Sequence, residues 1–119
     1  MPRPLDFRPL MGDGFFSTFD GWPAWLRDLR RRCGVYVIRR RNDKQTLYVG
    51  ESHTGRLYKT ITRHFQAWSG KTAGPRYDRQ AVEIAVRVTP PTAAVGAQNN
   101  LIDRLAPRDN TNGGSENPF

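Results

Sequence analysis

The stretch from Cys33 to Trp68 reads CGVYVIRRRNDKQTLYVGESHTGRLYKTITRHFQAW, and it decides the fold. Residues 35–38 alternate valine with other large side chains, and residues 47–49 repeat that alternation, which is the period-two pattern of β-strands. The polar break at 41–45 is short enough to be a hairpin loop. Four apolar residues then recur at helical spacing, namely Leu57, Ile61, Phe65 and Trp68. The stretch predicts a β-hairpin followed by a basic helix.

Length and composition limit the class of protein. A chain of 119 residues, 37% hydrophobic and 25% charged, is typical of one globular domain. The single Cys33 excludes an internal disulfide framework and a cysteine-based zinc site, and a buried structural thiol is expected. No apolar run approaches the roughly 18 residues that span a bilayer, and the N-terminus has no secretory pattern. We therefore expect a cytoplasmic protein without a membrane partner.

The charge balance points to a polyanionic partner. Nineteen Lys and Arg against eleven Asp and Glu give a net charge of +8. Such a surplus on a small domain favours binding to nucleic acid through counterion release. The planar guanidinium group of arginine also matches the geometry of phosphate better than the ammonium group of lysine does. A solvated basic surface and attraction to anionic lipid are the alternatives. DNA is the expected partner, and RNA is not excluded.

The remaining chain predicts supporting elements around the hairpin. An irregular lead-in over residues 1–16 precedes an aromatic helix from Trp22 to Arg32, which is expected to pack on the sheet. Residues 82–88 predict a third strand and residues 92–105 a final helix that Pro107 ends. These patterns predict a small α/β (α+β) domain with a central three-stranded antiparallel sheet flanked by helices. We assign residues 1–32 to an N-terminal extension, 33–110 to the domain and 111–119 to a flexible tail.

The basic helix carries one row of candidate chemistry. Arg56, Thr60 and His64 are spaced i, i+4 and i+8, so they share one face of a regular helix. A cation, a hydroxyl and an imidazole in one row suit the binding and protonation of a phosphodiester. The alternative is a half-buried histidine beside a solvated basic face.

The hairpin and the last helix carry the other candidates. Tyr36 and Tyr48 lie on neighbouring strands and are expected to share a face, where Gly50 leaves room for a close approach. On the last helix, Gln98 falls within an apolar stripe, where an unpaired amide would cost about 1–3 kcal/mol. Either Gln98 hydrogen-bonds within the core, or the stripe opens there onto a functional pocket.

Taken together, these motifs resemble the GIY-YIG nuclease family over about residues 33–110. Gly34-Val35-Tyr36 stands at the first signature tripeptide and Tyr48-Val49-Gly50 at the second, at a typical hairpin spacing. The helix from Leu57 to Phe65 is similar to the one that follows in the family. The closing pattern of a Leu-Ile pair, a proline and an asparagine is represented by Leu101, Ile102, Pro107 and Asn110.

The resemblance implies a metal-dependent DNA endonuclease, a hydrolase of phosphodiester bonds that uses Mg²⁺ or Mn²⁺. It implies that Tyr36 is the general base or orients the attacking water, with Tyr48 and His64 beside it. The family's arginine position is Thr60 here, so we assign the charge-stabilising role to Arg56 one turn earlier. Residues expected to touch the nucleic acid are Lys59, Arg63, Lys71 and Arg76.

The position of the family's metal-binding glutamate is Gln98 in this chain, and three explanations stay open. Gln98 is a deliberate Glu→Gln change, or the metal carboxylate comes from elsewhere, with Glu51 the nearest candidate, or the domain binds without cutting. A non-catalytic nucleic-acid-binding module is accordingly the alternative function. A protein-interaction domain with an incidental basic face is a third reading, and the oligomeric state is left open.

Overall fold

The fold is an α+β domain built on a four-stranded antiparallel sheet. The computed structural model describes residues 5–9, 24–65, 77 and 81–110. In chain order, the elements are β1 (Arg8–Pro9), α1 (Ala24–Arg27), β2 (Gly34–Arg40), β3 (Thr46–Ser52), α2 (Leu57–Arg63), β4 (Val82–Val88) and α3 (Pro91–Leu105). The strands lie in the order β1-β4-β2-β3. None of the described helices is long and apolar enough to cross a membrane.

The predicted hairpin and third strand are confirmed. β2 and β3 pair with Tyr36 opposite Gly50 and Val37 opposite Val49, and the register shifts after Ile38. β4 then pairs with the other side of β2, which places β2 in the middle of the sheet. The hairpin loop closes at Lys44, whose φ is 61°.

The expectation of three strands is wrong, because β1 adds a fourth. Arg8 pairs with Ile84 and Pro9 with Glu83 along the outer edge of β4. The prolines and glycines mixed with scattered apolar residues over 1–16 predict an irregular lead-in, and a strand of two residues is too short to show a period. Proline is nevertheless tolerated on an edge strand, where its missing N–H costs no ladder hydrogen bond.

Helices cover both faces of the sheet, as predicted. On one face, Tyr36 and Ile38 of β2 pack with Ile84 of β4 against α1 and α2; the buried helical residues there are Leu26, Leu57 and Ile61. On the other face, Val35, Val37 and Val49 pack against α3 through Leu101. We call these the α2 side and the α3 side.

The helix bounds differ from the predicted ones where the backbone departs from helical geometry. α1 spans only Ala24–Arg27, and the chain then turns, with Arg31 at a φ of 65°. α2 ends at Arg63, and His64 and Phe65 form a turn, while the rest of the predicted continuation to Trp68 lies outside the described residues. α3 starts at Pro91 and ends before Ala106, which adopts the left-handed conformation ahead of Pro107.

Trp22 and residues 111–119 also lie outside the described part of the chain. Cys33 is half-buried, so burial of its thiol is only partial.

The segment after α3 returns to cover the outer edge of β3. The side-chain amide of Asn110 donates to the carbonyl of Val49, and its carbonyl accepts from the Val49 N–H, both at 2.8 Å. The backbone N–H groups of Arg108 and Asp109 donate to the carbonyls of Thr46 and Leu47. These bonds satisfy backbone groups that an edge strand would otherwise present to another chain.

Gly50 is required by the ring opposite it. A Cβ built at this position would overlap Cζ and the hydroxyl of Tyr36. We therefore expect Gly50→Ala to lower the free energy of unfolding, measured in urea, by about 1–3 kcal/mol. The matched control is Gly96→Ala on α3, where a Cβ meets nothing within 4 Å. That change should raise the free energy of unfolding by about 0.5–1 kcal/mol, because it replaces a helical glycine. Equal effects at the two positions would contradict the packing assigned to Tyr36.

Candidate functional site

The α2 side of the sheet holds a buried hydrogen-bonded pair of ionisable side chains. The hydroxyl of Tyr36 lies 2.8 Å from Nε2 of His64, and each residue is only 1% exposed. Tyr36 comes from the centre of β2, while His64 is the C-terminal cap residue of α2. The sheet and the helix end together fix this pair.

Aromatic rings enclose His64 on several sides. The ring centroids of Tyr48 and Tyr77 lie 4.8 and 5.8 Å from that of the imidazole. The Tyr36 and Tyr48 centroids are 6.2 Å apart, which confirms that the two tyrosines share a face. We call Tyr36, Tyr48, His64 and Tyr77 the tyrosine–histidine cluster. Tyr48 and Tyr77 are half-buried, so they form its accessible side.

The electrostatics of Tyr48 suit a hydrogen-bond donor. Burial raises the pKa of Tyr48 above its ordinary value of 10.0, and the negative charge of Glu51 raises it further. The phenol therefore keeps its proton at neutral pH. A protonated hydroxyl can donate to a phosphoryl oxygen but does not act as a general base.

Tyr77 and Asp109 belong to this site, although sequence reasoning did not select them. The Tyr77 hydroxyl donates to Oδ2 of Asp109 at 2.7 Å, and the Tyr77 N–H donates to the carbonyl of His64. Burial raises the pKa of Tyr77, and this hydrogen bond raises it further. The hydrogen bond from Arg108 holds the pKa of Asp109 below its ordinary range, against the effect of burial. Tyr77 lies between two predicted elements, so no periodic pattern includes it.

Glu51 is a buried carboxylate at the C-terminal end of β3. It is 1% exposed, and Nδ1 of His53 lies 3.1 and 3.2 Å from its two oxygens. Because Glu51 stands opposite Val35 in the register, it belongs to the α3 side. Its charge nevertheless reaches the hydroxyl of Tyr48.

Gln98 is not brought together with the tyrosine–histidine cluster. It is completely buried in α3, together with Ala94 and Leu101, on the helix face that packs against the sheet. The sheet therefore separates Gln98 from Tyr36 and His64. Of the two predicted metal positions, Glu51 is the one whose charge affects a residue of the cluster, because it raises the pKa of Tyr48.

Arg56 and His64 lie at opposite ends of α2. Arg56 is the N-terminal cap residue and is exposed, whereas His64 caps the other end and is buried. Eight residues of helical rise separate their backbones by about 12 Å. The predicted row of Arg56, Thr60 and His64 thus runs the length of the helix without forming one cluster.

The donor chemistry at Glu51 fits a hard divalent cation better than that at Gln98. Mg²⁺ and Mn²⁺ prefer anionic oxygen, and Mg²⁺ is commonly held by only one or two carboxylates plus water and phosphate. Glu51 supplies such a carboxylate with the imidazole of His53 beside it. Gln98 offers a neutral amide inside a packed core, so it does not fit. Within residues 5–9, 24–65, 77 and 81–110, no group of three or more His, Cys, Asp or Glu side chains converges.

Exposed cations gather where α1 and α2 meet. The turn after α1 contacts the start of α2, since the Leu57 N–H donates to the Arg32 carbonyl at 3.2 Å. The guanidinium of Arg30 also lies 4.8 Å from the ring centroid of Tyr58. We call the following set the basic ridge: Arg30, Arg31, Arg32, Arg56, Lys59 and Arg63. Of the residues expected to bind nucleic acid, Lys59 and Arg63 lie on this ridge, whereas Lys71 and Arg76 lie outside the described residues.

Comparisons of the chain with protein-family models, with curated proteins and with solved structures found no match.

The Tyr36–His64 hydrogen bond can be tested by its coupling energy. We expect a double-mutant cycle of Tyr36→Phe and His64→Phe to give a coupling of about 1 kcal/mol in the free energy of unfolding. Tyr36→Phe paired with Arg104→Gln is the control cycle, because Arg104 is exposed on α3, across the sheet. Additive effects of Tyr36→Phe and His64→Phe would contradict a bond between these two groups.

Proposed function

We propose that this chain binds nucleic acid along the basic ridge and hydrolyses a phosphodiester bond at the tyrosine–histidine cluster. The observation that carries the proposal is the buried hydrogen bond between the Tyr36 hydroxyl and Nε2 of His64. It couples a phenol to the side chain that ordinarily exchanges protons near neutral pH. Half-buried Tyr48 lies against that pair, at the point where a substrate would first make contact.

The basic ridge supplies the affinity for the backbone. Its members are exposed, apart from half-buried Arg63, and neither α2 nor its first turn carries an acidic residue. Lys and Arg that replace counterions on phosphates favour binding independently of sequence. His64 is the C-terminal cap residue of α2. A nucleic-acid backbone bound along this helix would therefore extend towards the tyrosine–histidine cluster.

The proton transfers of the proposed reaction balance. As the oxygen of a water forms its bond to phosphorus, its proton passes to the Tyr36 oxygen, and the phenol proton of Tyr36 passes to Nε2 of His64. The bond from phosphorus to the leaving oxygen breaks, and that oxygen is protonated from solvent. Tyr48 keeps its proton and donates a hydrogen bond to a non-bridging oxygen, where negative charge develops.

Glu51 and His53 are the residues that would hold Mg²⁺ or Mn²⁺. When bound, the ion would supply a Lewis acid that polarises the phosphoryl group and offsets its charge. Gln98 has no part in this proposal. Gln98 is instead a buried residue of the packed layer between α3 and the sheet.

A nucleic-acid-binding module without catalysis is the second candidate. The observation that favours it is the burial of Tyr36 and His64, both only 1% exposed, together with the neutral amide at Gln98. Binding along the basic ridge would be the same in both cases. Cleavage separates the two.

The deciding experiment is cleavage of supercoiled plasmid and of end-labelled single-stranded DNA in Mg²⁺ or Mn²⁺. We expect the chain to cut, and we expect Tyr36→Phe and Tyr48→Phe to slow cutting by roughly 10²- to 10³-fold, as for other lost acid–base or transition-state donors. Glu51→Gln should abolish cutting and weaken Mn²⁺ binding measured by calorimetry. Gln98→Glu should not increase the rate.

Two other outcomes have definite meanings. If only Gln98→Glu cuts, then position 98 is the metal position and the assignment to Glu51 is wrong. If no variant cuts while all bind DNA in a salt-dependent manner, the chain is a binding module and the hydrolysis proposal fails.

The role of the basic ridge has its own measurement. Each phosphate contact contributes about −0.9 to the slope of log K against log salt for duplex DNA. We expect the double change Arg56→Gln and Lys59→Gln to make that slope less steep by up to about 1.8. The matched control is Arg104→Gln, on the α3 side, which should leave the slope unchanged. A change of about 0.9 from Arg104→Gln, half that of the double variant, would mean that net charge, rather than the basic ridge, determines binding.

A further inference from the structure

A pocket opens on the α2 side of the sheet, between α1 and the β1–β4 edge. Its volume is about 170 Å³. The residues of the lining used below are Asp6, Arg8, Trp25, Leu29, Val86 and Val88. The apolar residues come from α1, the turn after it and β4, whereas Arg8 comes from β1 and Asp6 from the segment before it. Neither the tyrosine–histidine cluster nor Glu51 contributes to this lining.

The size of the pocket selects a single flat ring. Pockets for drug-sized ligands occupy about 300–1,000 Å³, so this pocket is too small for one. An apolar cavity of about 150 Å³ takes up benzene, so 170 Å³ has room for one six-membered ring. The half-buried indole of Trp25 supplies an aromatic wall.

The polar groups at the pocket are a donor and an acceptor side by side. The guanidinium carbon of Arg8 lies 5.7 Å from the centroid of the Trp25 ring. Arg8 and Asp6 form an exposed ion pair at 3.4 Å. A planar ring that carries carbonyl and amino groups on its edge can hydrogen-bond to both, as carboxylates and guanidinium groups do with base edges.

We infer that this pocket binds one unpaired pyrimidine base of a nucleic-acid strand, stacked on Trp25. The inference rests on the nucleic-acid partner of the proposed function and extends it to single-stranded segments. Stacking on aromatic side chains together with a basic track for the backbone is the usual way in which proteins hold single strands. Both parts adjoin α1 here, since Trp25 lies within it and the basic ridge begins in the turn that follows.

The pocket stands at a fitting distance from the proposed reaction centre. β4, which lines the pocket, is two strands away from β3, which carries Tyr48. Strands lie about 4.8 Å apart, so Tyr48 is roughly 10 Å across the sheet from β4, and the backbone of Tyr36, which stands opposite Val86, is about 5 Å away. A strand that crosses the α2 side can therefore place one base at Trp25 and a nearby phosphate at the cluster.

The test is fluorescence anisotropy of a labelled oligothymidylate of about 12 nucleotides, a length within the usual span of one binding site. Val88→Phe is the blocking variant, because Val88 is 51% exposed and a larger side chain there fills the pocket without loss of core packing. The matched control is Val95→Phe on α3, at another exposed large apolar residue. Trp25→Leu removes the stacking surface, and Trp25→Phe keeps one.

We expect Val88→Phe and Trp25→Leu each to weaken oligothymidylate binding by roughly tenfold, the usual loss when a stacked base loses its ring partner. Val95→Phe should bind as the parent does, Trp25→Phe should lie close to it, and duplex affinity should not change in any variant. Circular dichroism confirms that each variant is folded.

Unchanged oligothymidylate affinity in folded Val88→Phe would overturn the pocket assignment, as would a parent chain that does not bind the oligonucleotide. Equal weakening of duplex and single strand by Val88→Phe would also overturn it. The hydrolysis proposal fails separately. If the chain never cuts but Val88→Phe weakens oligothymidylate binding, the pocket assignment stands and the hydrolysis proposal fails. If the chain cuts and Val88→Phe binds the oligonucleotide as the parent does, only the hydrolysis proposal stands.

Discussion

The rest of the structure depends on the close approach of the Tyr36 ring to the backbone at Gly50. Tyr36 and Gly50 are paired in the register of the hairpin, and the ring occupies the space where any other residue would place a Cβ. A slip of one residue would turn Tyr36 to the α3 side and bring a larger side chain opposite it. The same packing directs the phenol towards His64, so the hairpin register and the buried hydrogen bond are determined together.

The sheet separates the candidate functional residues into two groups. Tyr36, Tyr48 and His64 lie on the α2 side, while Gln98 and Glu51 belong to the α3 side. β3 links them, because it carries both Tyr48 and Glu51, three residues apart. The effect of Glu51 on the pKa of Tyr48 is the physical link between the two groups. Chemistry that needs both a hydroxyl donor and an anionic ligand therefore has its natural place at this strand end.

The periodic spacing of apolar residues predicted the helices and strands that are long enough to show a repeat. β2, β3, β4 and α3 follow the patterns of alternation and helical spacing, and Tyr36 and Tyr48 share a face for the same reason. β1 has only Arg8 and Pro9, too few residues for any period. The row of Arg56, Thr60 and His64 was inferred from a helical wheel, which gives the face but not the separation of about 12 Å along the axis. Tyr77 and Asp109 join the cluster through contacts between distant parts of the chain, which no local pattern contains.

Burial also gives a physical reason to separate the roles of Gln98 and Glu51. A carboxylate at position 98 would be completely enclosed by α3 and the sheet, and removing a charge from water costs several kcal/mol. A neutral amide avoids that cost, so Gln98 is compatible with a structural role in the core. Glu51 is equally buried, but an imidazole lies within 3.2 Å of both its oxygens, and its strand end approaches the cluster. A charge is therefore better tolerated at Glu51, where it can also act on the chemistry beside it.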